Sequence, residues 1–200
     1  MPALAKTPGE RERALVEGLG NRSIVLVGMM GAGKTAVGKR LAARLGLEFR
    51  DADTEIEAAA QKSIAEIFAS EGEPFFRDKE RRIIARLLTA ERPIVLATGG
   101  GAFMNGETRQ TIKACAISIW LRAELDVLLR RVRRKSNRPL LRTADPQETL
   151  RGLIEVRYPI YAQADIIILS RDVAHEVILA EALRAIEQHV SQQPMVGDER

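Results

Sequence analysis

The stretch Gly28-Met29-Met30-Gly31-Ala32-Gly33-Lys34-Thr35 constrains this chain more than any other. It fits G-x-x-x-x-G-K-[ST], a loop whose backbone N–H groups curl around phosphate oxygens. The four fixed positions arise by accident in roughly one chain of this length in a hundred, with Gly at ~7% of residues. Context lowers that figure further. The apolar run Ile24–Val27 precedes the loop, and a helical pattern over Lys34–Leu45 follows it. Strand, loop and helix N-terminus together form a phosphate cradle with positive potential at its mouth. Lys34 then reaches the β- and γ-phosphates of a nucleoside triphosphate, and the Thr35 hydroxyl is placed for Mg²⁺. Met29 and Met30 read as packing groups.

The rest of the chain supplies a matching frame. Ile94–Ala97, Ala116–Leu121 and Ile166–Leu169 are further apolar runs, and Glu48–Arg50 is a weaker one. Continuous runs suit strands buried on both faces of a parallel sheet. Helical patterns alternate with them, at 53–60, 64–69, 75–88, 107–114, 124–131, 147–158 and 173–190. Ser63-x-x-Glu66 is a capping box, and Asp145-Pro146-x-Glu148 orders a cap, a first-turn proline and an N3 acid. Alternation of this kind gives an α/β fold with right-handed crossovers. With 200 residues, 46% apolar and 29% charged, the chain suits one ordinary globular domain. Residues 1–20 read as a separate extension, with an amphipathic helix over Glu10–Leu19 outside the core. Residues 191–200 form a polar, frayed tail.

Several classes are disfavoured. One cysteine, Cys115, makes no intramolecular disulfide and reads as a small buried residue. No run approaches a membrane span, and Met1–Gly20 lacks the apolar core of a secretory signal, so the expected location is cytoplasmic. The net charge of +4 comes from seven Arg and Lys residues within Arg130–Arg142, without which the chain is net acidic. So local a patch suits a small polyanion at least as well as a duplex. Its plain alternative is a solvated helix end, at Arg133 and Arg134 above all.

Four further features carry chemistry. Asp51-Ala52-Asp53 follows the Glu48–Arg50 strand, and extended geometry points both carboxylates the same way, beside the cradle. One carboxylate suits a metal-bound water and the other an acceptor hydroxyl. Asp53 as a plain helix cap is an equal reading. Arg77 and Arg157 offer planar forks for an anion, though each alone is an ordinary surface residue. Gly99-Gly100-Gly101 ends a strand, and three successive glycines suit close backbone approach to a ligand. Arg138-Pro139-Leu140-Leu141 lies in the basic segment and suits a mobile flap that excludes water. A neutral alcohol gains more from an oriented carboxylate than an already ionised phosphate does, so Asp53 leans toward an alcohol acceptor.

Together these residues resemble the shikimate kinases, small P-loop kinases of the nucleoside-monophosphate-kinase fold type. The matching pieces are Gly28–Thr35, Asp51-x-Asp53, Gly72-Glu73-x-x-Phe76-Arg77, Gly99–Gly101, Arg138–Leu141 and Arg157-x-Pro159-x-Tyr161. The resemblance implies a three-layer α/β/α fold over residues 21–190. It implies a five-stranded parallel sheet, a mobile lid near 133–144 and a small substrate-binding helical segment near 53–81. It also implies ATP-dependent phosphorylation of the shikimate 3-hydroxyl, in aromatic amino-acid biosynthesis. Gly31, Ala32, Gly33, Lys34, Thr35 and Ala36 would bind ATP, with Arg131 near the adenine. Thr35 and Asp51 would serve Mg²⁺. Asp53 would be the catalytic carboxylate, with Lys34 and Arg138 acting on the transferring phosphoryl. Arg77, Arg157 and Gly99–Gly101 would hold shikimate. Where the family often reads Lys-Ser-Thr, this chain has Lys34-Thr35-Ala36, which keeps the metal-binding hydroxyl and loses one hydrogen bond to phosphate.

Two rival readings are a P-loop kinase for gluconate or a nucleoside monophosphate, and a nucleotide- or RNA-binding regulator. The basic patch lacks stacking aromatics, so no nucleic-acid partner is expected, and no membrane partner. A monomer is expected, since no long apolar face is left unassigned.

Overall fold

The computed structural model describes residues 8–90, 92–133 and 145–192. Five strands, β1 (Ser23–Val27), β2 (Glu48–Asp51), β3 (Ile94–Ala97), β4 (Ala116–Arg122) and β5 (Ile166–Leu169), form one parallel sheet in the order β2-β3-β1-β4-β5. The helices are α1 (Pro8–Leu19), α2 (Lys34–Leu45), α3 (Ala52–Ala60), α4 (Ile64–Ser70) and α5 (Gly72–Leu88). They continue as α6 (Gly106–Cys115), α7 (Leu125–Arg133), α8 (Pro146–Tyr161) and α9 (His175–Gln192).

The register aligns the carboxyl ends of three strands: Leu26 and Asp51 both lie opposite Ala97. The phosphate loop, the Asp51–Asp53 turn and the triple glycine therefore leave the sheet together at its carboxyl end. Strand order also reverses about β1, which is where open α/β sheets bind ligands. Helix α2 sits close on this sheet because Gly38 has no side chain. A Cβ there would lie 2.6 Å from the Phe49 ring and 2.9 Å from Leu26 Cδ1.

Most of the chain shares one apolar core, built on β1, β3 and β4. A second, smaller core of Ile56, Ile67, Phe76 and Ile83 holds α3, α4 and α5 together, with the Phe68 and Phe76 rings 4.8 Å apart. This is the helical segment that the resemblance implies. Its α4 begins with the Ser63–Glu66 capping box, formed in both directions.

Four expectations change. Helix α1 is not outside the core: Leu15 and Leu19 are buried in it, against α2 and α9. The β5 run is buried on one face only, with Ile167 and Leu169 exposed, because α9 packs on one face of this edge strand. Helix α8 continues beyond the expected 147–158 through Pro159 to Tyr161, because the fully buried Tyr161 anchors its last turn. Cys115 closes α6 and is only half-buried. No described helix is long and apolar enough to cross a membrane.

Candidate active site

The phosphate loop has the backbone its glycines allow. Gly31 and Gly33 take φ of +82° and +95°, a region that costs an L side chain energy, and Gly33 caps α2 from it. Lys34 Nζ donates to the Gly28 and Met29 carbonyls at 2.8 and 3.0 Å, which holds its charge over the loop. Met29 and Met30 are buried beneath. Ala32 and Ala36 lie in the same loop and first turn, and the fully buried Ala32 accepts from Ser170 Oγ at 2.8 Å through its carbonyl. Arg131 spans from the Gly31 carbonyl (3.3 Å) to Ser170 Oγ (2.9 Å) and the Arg171 carbonyl (2.7 Å), so it ties the loop to the chain after β5. Arg130 pairs with Asp172. Arg138 and the flap around it lie outside the described residues.

Asp51 and Asp53 play different parts, and not by strand alternation. Asp51 ends β2 and is itself the N-cap of α3, accepting from Asp53 N at 3.1 Å. Its other oxygen accepts from Thr35 Oγ1 at 2.8 Å. Asp53 therefore sits in the first helical turn and is not the cap. Thr35 and Asp51 present hard oxygen donors side by side, which fits Mg²⁺, an ion that takes one or two protein ligands plus water and phosphate.

The three glycines form a floor on which the remaining residues rest, and none of them needs positive φ. A Cβ on Gly99 would lie 2.5 Å from Glu80 Oε1 and 2.9 Å from Asp53 Oδ1. On Gly100 it would meet Arg157 Nη1 at 3.2 Å and Met30 N, in the phosphate loop, at 3.6 Å. On Gly101 it would meet the Arg77 guanidinium at 2.4–2.6 Å. Asp53, Arg77 and Arg157 thus converge on one short backbone segment that backs onto the cradle.

Neither arginine is an ordinary surface residue. Arg157 is only 8% exposed and donates to the Gly100 carbonyl at 3.1 Å. Arg77 is half-buried and donates from Nη1 to Glu80 Oε2 at 2.8 Å, and from Nε and Nη2 to Glu73 Oε1 at 3.1 and 2.9 Å. Burial works against its charge, but Glu80 and Glu73 more than compensate and raise its pKa.

Sequence reasoning missed one residue here and left a second without a role. Glu80 is almost fully buried, and its Oε1, beside Gly99, has no hydrogen-bond partner among the described residues. Burial pushes its carboxyl above the ordinary range, Arg77 opposes the shift, and the Asp53 charge adds to it. The available signal was its place in the buried stripe of α5, between Phe76 and Ile83–Ile84. Tyr161 was read only as part of the Arg157-x-Pro159-x-Tyr161 motif: its hydroxyl donates to the Gly100 carbonyl, and burial pushes its pKa up to about 12, so it stays a neutral donor. Arg157 and Tyr161 are four residues apart and share a face of α8.

Comparison with known proteins gives this arrangement its lineage. A family model described as shikimate kinase matches residues 30–187. A shikimate kinase of Rhodopseudomonas palustris is 55% identical over 97% of this chain and 95% of its own length. One from Caulobacter vibrioides is 58% identical over 84% of this chain and 83% of its own. The solved shikimate kinase of Acinetobacter baumannii, in complex with shikimate, superposes with a TM-score of 0.82 at 37% identity, covering 88% of this chain and 97% of that one. Phosphate loop, five-stranded sheet, glycine floor and sequence kinship agree, and the chain belongs to the shikimate kinase family.

Proposed function

We propose that this protein transfers the γ-phosphoryl group of ATP to the 3-hydroxyl of shikimate, giving shikimate 3-phosphate and ADP for aromatic amino-acid biosynthesis. One observation carries the reading: Asp53, Arg77 and Arg157 meet on the Gly99–Gly101 floor, directly against the phosphate loop. Two arginines on one side suit a carboxylate, and a single carboxylate on the other suits hydroxyl groups.

In this mechanism the loop amides from Gly31 to Ala36 bind the ATP phosphates, and Arg131 lines the nucleotide side. Lys34 swings from its loop carbonyls onto the β- and γ-phosphates. Thr35 and Asp51 would hold Mg²⁺, which would supply positive charge to the phosphate oxygens. Arg77 and Arg157 fix the shikimate carboxylate, and Gly99–Gly101 let the ring approach the backbone. Asp53 orients the acceptor hydroxyl toward the γ-phosphorus and takes its proton as the new O–P bond forms. All these groups come from one chain.

The test is ADP release with ATP and Mg²⁺, run with shikimate, gluconate, nucleoside monophosphates or no acceptor, with the product identified by ³¹P NMR. Release with shikimate alone, giving the 3-phosphate, is expected. Release with a nucleoside monophosphate instead would overturn the acceptor assignment.

A further inference from the structure

Arg77 lies at the centre of a charge arrangement that the proposed reaction does not explain. Its guanidinium face rests on Gly101, so it can donate only along its edges. An arginine has two bidentate edges, one formed by Nε with one terminal nitrogen and one by the two terminal nitrogens. Glu80 takes a hydrogen on Nη1. Glu73 takes the whole of the other edge, accepting from both Nε and Nη2 through a single oxygen. The two acids differ in kind. Glu80 is buried, with 3% of its side chain exposed, and is a fixed part of the floor. Glu73 is 58% exposed, in the first turn of α5, and can leave for water at little cost.

We propose that Glu73 is a tethered competitor for the acceptor's carboxylate. It occupies the carboxylate-binding edge of Arg77 while the site is empty and is displaced when a carboxylate ligand docks. The exchange swaps one carboxylate for another on the same donors, so the Nε–Nη2 edge of Arg77 keeps a carboxylate throughout while Nη1 stays on Glu80. Glu73 thereby sets the acceptor affinity and screens out ligands that lack an anion to replace it. The inference rests on the reading that Arg77 receives the shikimate carboxylate.

The test is calorimetric titration of the full chain with shikimate, without nucleotide, for wild type, E73Q, R77A and R77A/E73Q. E73Q should tighten shikimate binding by about two- to fivefold, the range that loss of one exposed ion pair supports. The gain should vanish in the R77A background, and E73Q should also bind the carboxamide analogue of shikimate more tightly, because the screen against a neutral ligand is gone. Weaker binding by E73Q would overturn the proposal and make Glu73 a brace that positions Arg77. Unchanged binding by E73Q would overturn it too, since nothing would then be displaced. R77A tests the underlying reading separately: unaltered affinity in R77A would remove Arg77 from the carboxylate site, whatever E73Q does. Thermal melts of each variant check that the fold is intact.

Discussion

The guanidinium of Arg77 lies so close to Gly101 that a methyl group on residue 101 would sit 2.4 Å from its Nη1. Arg77 is long and flexible at that end, so the clash is relieved by moving the arginine, not the backbone. G101A should therefore melt near the wild-type temperature while raising the shikimate KM by about tenfold or more, the cost of losing a charge-assisted pair. The KM for ATP should not change. Steady-state kinetics with each substrate varied in turn checks this. Equal rises in both KM values would point to general disruption.

Asp51 joins the metal side of the site to the helix that carries Asp53, through Thr35 Oγ1 at 2.8 Å and Asp53 N at 3.1 Å. Asparagine caps a helix about as well as aspartate, whereas alanine loses about 1 kcal/mol. D51N should keep the stability of the wild type and raise the Mg²⁺ concentration needed for half-maximal turnover. D51A should lose both. Urea unfolding and Mg²⁺ titration of the two variants separate the roles.

Glu80 makes stability depend on pH. The folded protein holds this proton more tightly than the unfolded chain, whose carboxyl titrates near 4.5, because burial disfavours the charge. Its contribution is therefore most favourable below 4.5 and is lost as pH rises through the window between that value and the raised folded one. E80Q lacks the titration. The stability of wild type relative to E80Q should fall across this window and then level off, as measured by urea unfolding at a series of pH values. A difference independent of pH would contradict it.

Much of this architecture was legible because local signals and tertiary demands agree. The loop 28–35 has a strand before it and a helix after it, and the capping box at Ser63 starts α4 as its spacing requires. What stayed hidden depends on contacts distant in sequence. Ile166–Leu169 reads as doubly buried, but only the strand order makes β5 an edge. The helical pattern ends at 158, yet Tyr161, packed near Trp120 and Phe103, carries α8 past Pro159. Asp53 reads equally as cap or base until the backbone shows Asp51 capping α3. Glu80 looks like one more helix acid until Gly99 is laid against it.

In the proposed reaction Asp53 activates the acceptor hydroxyl, and D53N tests this most directly. The substitution keeps size and removes the proton acceptor. Turnover with saturating shikimate should fall by at least about a hundredfold, the usual weight of a general base, while ATP affinity stays at the wild-type value. Near-normal turnover by D53N would contradict the account.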